Sequence, residues 1–552
     1  SVPQNTLEDI ISDDTSNDED YTPETDSSDS SLSDCSDSSS ENENALDENV
    51  ENSDILSECD DIGWQDITNT TPTFKEHEGF STVNVPISAK TPTEYYELFV
   101  TEEIINKMVL ETNNYAQMYF INNQRGIKRK SRVKAWTSTD PEEMKRFLGI
   151  LMVMGLVKVP HINDYWSKKS IYRNEYIVSI MKRDRFLLLL KFWHFSDPRG
   201  TDKLSKINDV YLMMLNRFQT ILRPGKTLVI DESMVPWRGR LQFRQYIKNK
   251  SHKYGVKLYK LCTPEGYTYN LLIYTGKGEN GRELDHGQKT VMRLMKDLLN
   301  EGRLVITDNF YNSIGLAEEL MQNKTFLCGT LRPNRRGLPK RIISTKLKKG
   351  EVVGKMNRKG VRILKWHDKR PVYMISTCRQ HNATIVDTGK RRKVTGEHIK
   401  KPECVVTYND NKKGIDYSDQ MSSYYTPLQR GLKWFRKVMM ELLFGTALVN
   451  SWVVFNMQRE IKMPKKIFLE SVIEGFTKKP TSNGGNSRTA TLTKNHAFEK
   501  NGDKRRKCAG CYENLRTTLS SREANKKVKK IKSYCRDCNK PQCLKCFYNS
   551  HM

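Results

Sequence analysis

The spacing of apolar positions changes several times along the chain. Before about residue 66 there is no apolar period at all, only Ser, Asp, Glu and Asn, and a polar segment of that kind is expected to stay disordered. From about 90 to 225 apolar residues recur every three or four positions, in TEYYELFVTEEIINKMVLETNNYA, PEEMKRFLGILMVMGL and RDRFLLLLKFWHF, which predicts amphipathic helices. DPEEM supplies a helix start. From about 226 β-branched runs take over: KTLVID, then YGVKLYKLCT and YTYNLLIYTG around the turn PEG, then RLVITD, all predicting strands. QKTVMRLMKDLL before that last run and SIGLAEELMQ after it have helical spacing. Three further strand patterns, VGKMNR, VRILKWH and VYMIST, fill a strongly basic stretch at about 335–402. Residues 420–480 return to helix, with KWFRKVMMELLFGTALVNSWVVFNMQ the longest. PTSNGGNSRTATLTK within 481–500 is linker-like, and no internal repeat is visible.

A hairpin of strands followed by helix, strand and helix is the order of a ribonuclease-H-like core. The expected fold class is therefore α/β and multidomain. The boundaries drawn on this pattern are an acidic disordered region at 1–75, a helical part at 90–226 and a first core segment at 227–334. A basic insertion at 335–402, the second core segment at 403–425, a second helical part at 426–480, the linker at 481–500 and a cysteine-rich domain at 501–552 follow.

At 552 residues the chain exceeds one ordinary domain. Its net charge of +25 conceals a division: residues 1–66 carry 22 Asp and Glu and no Lys or Arg, so the rest carries those 22 charges more, +47. A body so basic calls for a polyanion, DNA or RNA. Membrane attachment is the competing reading, but the run FLGILMVMGLV at 147–157 is too short to span a bilayer and predicts a buried helix. The start lacks a signal-peptide pattern, so the expected setting is intracellular with reduced cysteines. Ser1 in place of Met points to a processed or recombinant start. Serines followed by acids in SDSSLSDCSDSSSENE are phosphorylation candidates, and the tail reads equally as a shield for the basic body or as a solubility tail. Lys128, Arg129, Lys130, Arg132 and Lys134 make a basic loop that suits phosphate contact or plain solvation.

Three aspartates stand out from this background. Asp231 follows KTLVI, Asp308 follows RLVIT, and Asp416 lies in NKKGIDYSDQ with Asp419 three residues on, on the same helical face. Any one of them alone reads as a turn or cap residue. Together, carboxylates from two strand ends and a helix are what a two-metal phosphoryl-transfer site needs, because Mg²⁺ or Mn²⁺ takes oxygen ligands and clamps attacking and leaving oxygens.

Six of the twelve cysteines fall in the last 50 residues as three CxxC pairs: Cys508 with Cys511, Cys535 with Cys538, Cys543 with Cys546. In a reducing compartment these are zinc knuckles, the short loop placing both thiolates on one face of a tetrahedron. With His551 they make seven ligands, and an eighth would complete two zinc ions interleaved in a cross-brace. KRRK at 504–507 and KKVKKIK at 526–532 suit DNA contact and nuclear import. Zinc cross-braces also serve ubiquitin ligases and histone-tail readers.

The segments VIDESMVPWRGRLQFRQYIKNKSHKYGVKLYKLC, ITDNFYNSIGLAEELMQNKTFLCGTLRPNRRGLP and YNDNKKGIDYSDQMSSYYTPLQRGLKWFRK closely resemble the piggyBac family of DNA transposases, in order, from about residue 90 to the C-terminus. The resemblance implies that Asp231, Asp308 and Asp416 are the catalytic carboxylates and that Asp419 is a further essential one. It implies hairpin intermediates, insertion at TTAA, a dimer holding two transposon ends, and a C-terminal finger that binds the inverted repeats. A target centred on a TA step suits a duplex that must be kinked. His496 aligns with an upstream histidine of relatives, which makes it the candidate eighth zinc ligand; it otherwise reads as a linker histidine. Trp434 matches an aromatic used near the hairpin, where a flipped base would stack; on spacing alone it reads as a core tryptophan. Its neighbours Lys433, Arg436 and Lys437 favour a DNA-facing position. Arg332 and Arg335 stand where family members contact target DNA, and Lys253 and Lys257 are further DNA-contact candidates. The expected activity is cut-and-paste transposition of double-stranded DNA by a nuclear homodimer, with no membrane partner. The rivals are a domesticated, non-catalytic DNA-binding protein and a chromatin-interaction protein.

Overall fold

The computed structural model describes residues 63–68, 74–86, 89–123, 127–197, 199–248, 252–276, 286–392, 395–427, 433–478, 498–500, 505–517, 519–535, 540–543 and 546. They fall into two compact units divided after Lys478.

The first unit begins with a strand where disorder was expected. β1 (Trp64–Gln65) pairs antiparallel with β10 (Val352–Asn357), and Phe74 stacks on Phe326 with ring centroids 4.5 Å apart. The expectation of disorder to residue 75 is thus overturned for 63–68 and 74, because a sheet edge and an aromatic face are available to cover Trp64, Ile67 and Phe74. Residues 1–62 lie outside the described residues.

Helices follow where the apolar period placed them. α1 (Pro92–Glu97) opens with a capping box: Thr91 Oγ1 accepts from the Glu94 amide and the Glu94 carboxylate accepts from the Thr91 amide. α2 (Glu102–Asn122) and α3 (Pro141–Leu156) come next, the latter capped by Asp140 with Pro141 in its first turn. α4 (Glu175–Ile180), α5 (Arg183–Phe192) and α6 (Asn208–Ile221) complete this layer. A two-residue pair, β2 (Thr82–Val83) with β3 (Leu222–Arg223), ties the entry of the layer to its exit.

A ten-stranded mixed sheet carries the rest of the unit. β4 (Thr227–Pro236), β6 (Tyr254–Cys262) and β7 (Thr268–Ile273) form an antiparallel meander, with the short β5 (Gln245–Tyr246) on the start of β6. After α7 (His286–Met295), β8 (Leu304–Thr307) returns parallel to β4; after α8 (Ile314–Gln322), β9 (Phe326–Thr330) lies parallel to β8. Numbered by chain order within this core, the strands run 3-2-1-4-5 across the sheet.

The three strands expected from VGKMNR, VRILKWH and VYMIST make no sheet apart from the core. Past α9 (Lys340–Ser344), β10, β11 (Arg362–His367) and β12 (Pro371–Ser376) form a meander whose last strand pairs with β9, extending the same sheet to β1. Only β13 (Ile385–Arg391) and β14 (His398–Pro402) stand off as a separate hairpin.

Side chains alternate between two cores, as period two requires. Leu228, Ile230, Val305, Leu327 and Ile363 join the larger core with the helices, whereas Val229, Ile306, Cys328 and Leu364 face a second core closed by α10 (Glu403–Asn411) and the start of α11 (Gly414–Ser423). α12 (Trp434–Met440) runs through a π-helical turn at Glu441–Thr446 into α13 (Ala447–Met457). That 24-residue span is long and apolar enough to cross a membrane, yet 89% of its apolar window is buried inside this fold. α14 (Lys465–Thr477) packs beside α3 and α1. Where the chain leaves α11, Tyr425 adopts φ +63° and its carbonyl crosses α3 at Gly155; a Cβ there would lie 2.0 Å from that oxygen.

The second unit is small. β15 (Phe498–Lys500), β18 (Ser533–Cys535) and β19 (Lys540–Pro541) form one antiparallel sheet, β16 (Arg506–Lys507) and β17 (Lys530–Ile531) another, with α15 (Ala509–Arg516) and α16 (Ser521–Lys527) between them. The end of the expected linker, 498–500, therefore belongs to this unit; 481–497 lie outside the described residues.

Candidate active site

β4 and β8 are parallel with Ile230 opposite Thr307, so the next residues, Asp231 within β4 and Asp308 just past the end of β8, stand side by side at the same level; Asp231 is thus not at a strand end, because β4 runs on to Pro236 along β6. Both fall on the α10/α11 face by parity with Val229 and Ile306. Opposite Asp231 on β6 is Lys260, completely buried. α11 closes the same face: Ile415 is in the second core, Asp416 is exposed, and Asp419, one turn on, reaches down to the strands. Its Oδ1 accepts from Lys260 Nζ at 2.8 Å and from Ser233 Oγ at 2.9 Å. The fold thus gathers the four aspartates at one end of one sheet face. Among the described residues no three carboxylates come within 4.8 Å of one another.

The loop after β8 is held firmly. Asn312, fully buried, donates from Nδ2 to the carbonyls of Thr307 at 3.1 Å and Thr330 at 2.8 Å, and Thr307 Oγ1 donates to its Oδ1. Gly329 makes room for this: a Cβ there would sit 2.1 Å from the Thr307 carbonyl oxygen and 2.3 Å from Asn312 Nδ2. Asp308 itself accepts from the Phe310 amide at 2.9 Å. Burial raises its carboxyl above the ordinary carboxylate range and the nearby Glu232 charge adds to this, while the Phe310 amide, Arg332 and Lys257 oppose. Burial keeps the phenols of Tyr311 and Tyr408 protonated, and the charges of Asp231 and Asp308 reinforce it.

The basic candidates separate into positioning and surface groups. Arg335 donates to the carbonyls of Asn309 (3.1 Å) and Phe310 (2.6 Å), and the exposed Arg332 to Asn309 Oδ1 at 3.1 Å, so both brace the loop behind Asp308. Lys253 is exposed. Lys257, expected at a DNA surface, is instead buried, ion-paired with Glu232 and set over the rings of Tyr259 and Phe310, each at 4.7 Å. Trp434 is half-buried at the start of α12, edge-on to Phe243 at 5.1 Å. Its neighbour Arg436 does not face outward: it is buried and donates to the carbonyls of Trp193 and Lys191, closing the C-terminal end of α5. Lys437 is half-buried beside Trp237, and burial lowers its ammonium pKa.

Sequence reasoning missed Lys260, Ser233 and Glu441. Glu441 opens the π-helical turn and is half-buried; burial pushes its carboxyl up to about 7, against the pull of Lys260, with Asp419 adding and Lys465 opposing. The available signals were a lysine inside the apolar run KLYKLC and a lone acid inside MMELLF.

In the second unit the sulfurs of Cys508, Cys511, Cys543 and Cys546 lie within 4.8 Å of one another. Cys511 Sγ is 3.7 Å from Cys543 Sγ and 3.6 Å from Cys546 Sγ. A tetrahedron of thiolates around zinc has an edge of about 3.8 Å, so this set fits one zinc ion. The Cys543 amide donates to Cys508 Sγ at 3.2 Å, the orienting bond a thiolate ligand takes. The first and third CxxC pairs therefore meet in one cluster. Cys535 is buried on β18; Cys538, His551 and His496 lie outside the described residues.

The family model described as Transposase IS4 matches residues 91–452, so the chain belongs to this transposase family. Within it the chain is of the piggyBac type. PiggyBac transposable element-derived protein 3 of Homo sapiens is 25% identical over 447 residues, which are 77% of this chain and 73% of that protein. PiggyBac transposable element-derived protein 5 of Homo sapiens is 22% identical over 418 residues, 72% of this chain and 76% of that protein. A cryo-EM structure of a piggyBac transposase synaptic complex with hairpin DNA shares the fold, with a TM-score of 0.61 at 24% identity over 83% of this chain and 98% of that one.

Proposed function

We propose that this transposase excises and inserts double-stranded DNA by metal-dependent phosphoryl transfer at the cleft of Asp231, Asp308 and Asp416. One observation carries the reading: the β4–β8 register sets Asp231 beside Asp308, on the sheet face that the helix of Asp416 covers. The 3-2-1-4-5 strand order supports a ribonuclease-H-like core around it.

The donors suit Mg²⁺ or Mn²⁺, which take carboxylates from the protein and leave positions open for substrate phosphates. Bound there, such ions supply charge for the attacking and leaving oxygens. The chain's own residues do the rest. Asn312, Gly329 and Arg335 fix the loop that carries Asp308, Lys257 balances Glu232 beside Asp231, and Trp434 offers a ring on which a displaced base would stack. In this reading one cleft serves end nicking, hairpin closure and reopening, and joining at TTAA. The Cys508, Cys511, Cys543 and Cys546 set holds zinc and, with the basic runs at 504–507 and 526–532, binds the transposon ends. A homodimer in the nucleus completes the proposal, since two ends must be held at once.

Excision of a marker flanked by the element's ends tests it, wild type beside Asp308→Ala. Precise repair to TTAA, lost in the variant, is the expected result. End binding without excision by the wild type would instead establish a domesticated DNA-binding protein, a reading the human relatives' names as element-derived keep in play.

A further inference from the structure

The four aspartates are not equivalent. Asp416 is exposed and makes no hydrogen bond or ion pair among the described residues. Asp419 is committed: the same Oδ1 accepts from Lys260 Nζ at 2.8 Å and from Ser233 Oγ at 2.9 Å. Ser233 lies two residues beyond Asp231 on β4, hence on its face, and Lys260 is its partner across β6. Both donors thus come from the strands around Asp231, and the bonds pin α11 to them one turn beyond Asp416, about 4.5 Å along the helix.

The surroundings fit a permanent ion pair. Lys260 has no exposed surface. Glu441, from the π-helical turn, adds a second carboxyl facing Lys260 and Asp419, and Gly445 leaves the space for it: a Cβ there would fall 2.6 Å from the Glu441 carboxyl oxygen. Lys465 faces Glu441 from α14 and donates to the carbonyls of Met421 and Tyr424, gripping the last turn of α11 and its exit. Two ammonium groups and two carboxyls therefore lie under α11. A divalent cation on Asp419 would have to sit against the Lys260 ammonium, and like charges that close repel strongly in a buried site.

We infer that Asp419 and Lys260 are a positioning pair and not part of the metal-ligand set: the pair fixes α11 on the strands and so decides where Asp416 arrives. The inference rests on the metal-dependent reading above, and the test separates the two. Mn²⁺ binding to the purified full chain is measured by titration calorimetry, with nicking of a plasmid bearing the element's ends followed in parallel. Asp231→Asn and Asp416→Asn are expected to weaken Mn²⁺ binding by at least about tenfold. Asp419→Asn is expected to weaken it by clearly less than Asp416→Asn does, because Asp416 keeps its charge and loses only its placement, while lowering nicking at least about tenfold. Lys260→Arg, which keeps the charge, should retain more nicking than Lys260→Met. Because Lys260→Met strands a carboxylate, the double variant Lys260→Met with Asp419→Asn removes both charges and should fold, bind Mn²⁺ more tightly than Asp416→Asn, and nick poorly. Asp419→Asn weakening Mn²⁺ as much as Asp416→Asn would overturn the inference. Unchanged Mn²⁺ binding in Asp231→Asn and Asp416→Asn would overturn the metal reading itself.

Discussion

In the C-terminal unit four thiols lie within 4.8 Å of one another, while the four aspartates of the sheet face are spread over two strands and a helix, one of them held by a lysine. On the proposed function, the difference follows from what each set must do. A structural zinc site closes all four positions and its ligands are worth most when nothing else can enter. A phosphoryl-transfer site must leave room for the phosphate and the attacking oxygen, so its carboxylates stand apart and are aimed by their scaffold. The scaffold here is specific: Asn312 and Gly329 behind Asp308, and the Lys260–Asp419 pair behind Asp416.

The contrast breaks most completely at the carboxylates. Asp308→Ala should lower strand cleavage by roughly a thousandfold or more, as loss of a metal-held charge worth several kcal/mol implies, while end binding stays intact; paired cleavage and gel-shift assays check both. Cys511→Ser, or a strong zinc chelator, should do the reverse. It should unfold the C-terminal unit and remove end binding, leaving the melting of 63–478 unchanged in a calorimetric scan. Asn312→Ala should cost about 2 kcal/mol by orphaning two buried carbonyls, and Gly329→Ala about 1–3 kcal/mol by overpacking, each with a loss of cleavage larger than its loss of stability. Gly155→Ala, away from the cleft, should cost a similar 1–3 kcal/mol, about as much as cleavage loses, because it displaces the Tyr425 carbonyl at the exit of α11. The smallest effect is in pH. The Asp308 carboxyl is raised in the fold, so its contribution to stability is fully present below the unfolded-state pKa and is lost as pH rises through the folded value. Added Mg²⁺ should therefore raise the melting temperature more at pH 7.5 than at pH 5.5, and Asp308→Asn should flatten the difference.

Local signals were legible in the sequence, and long-range pairing was not. Asp140–Pro141 announces α3, and the β-branched runs that end in Asp231 and Asp308 announce the strands that carry them, because caps and strand periods are written within a few residues. The two-residue β1 carries no such signal; it exists only because β10 offers an edge. The continuity of 352–376 with the core sheet is likewise a matter of the β9–β12 register. Charged residues misled for a related reason. Lys257, Lys260 and Arg436 look solvated in a basic chain, but each sits where both neighbouring faces are covered and its partner comes from far along the sequence: Glu232, Asp419 and the end of α5.

Residues 231, 308 and 416 belong to segments that meet only after β4 has found β8 and α11 has been laid against β4 and β6, with its exit threaded past Gly155 of α3. A chain halted anywhere before 416 therefore lacks a complete cutter, whatever else of it has folded. Contacts of such long separation form late in folding. On the reading proposed above, the order of synthesis is itself a safeguard: a nascent chain, or the product of a stop ahead of Asp416, cannot cut DNA.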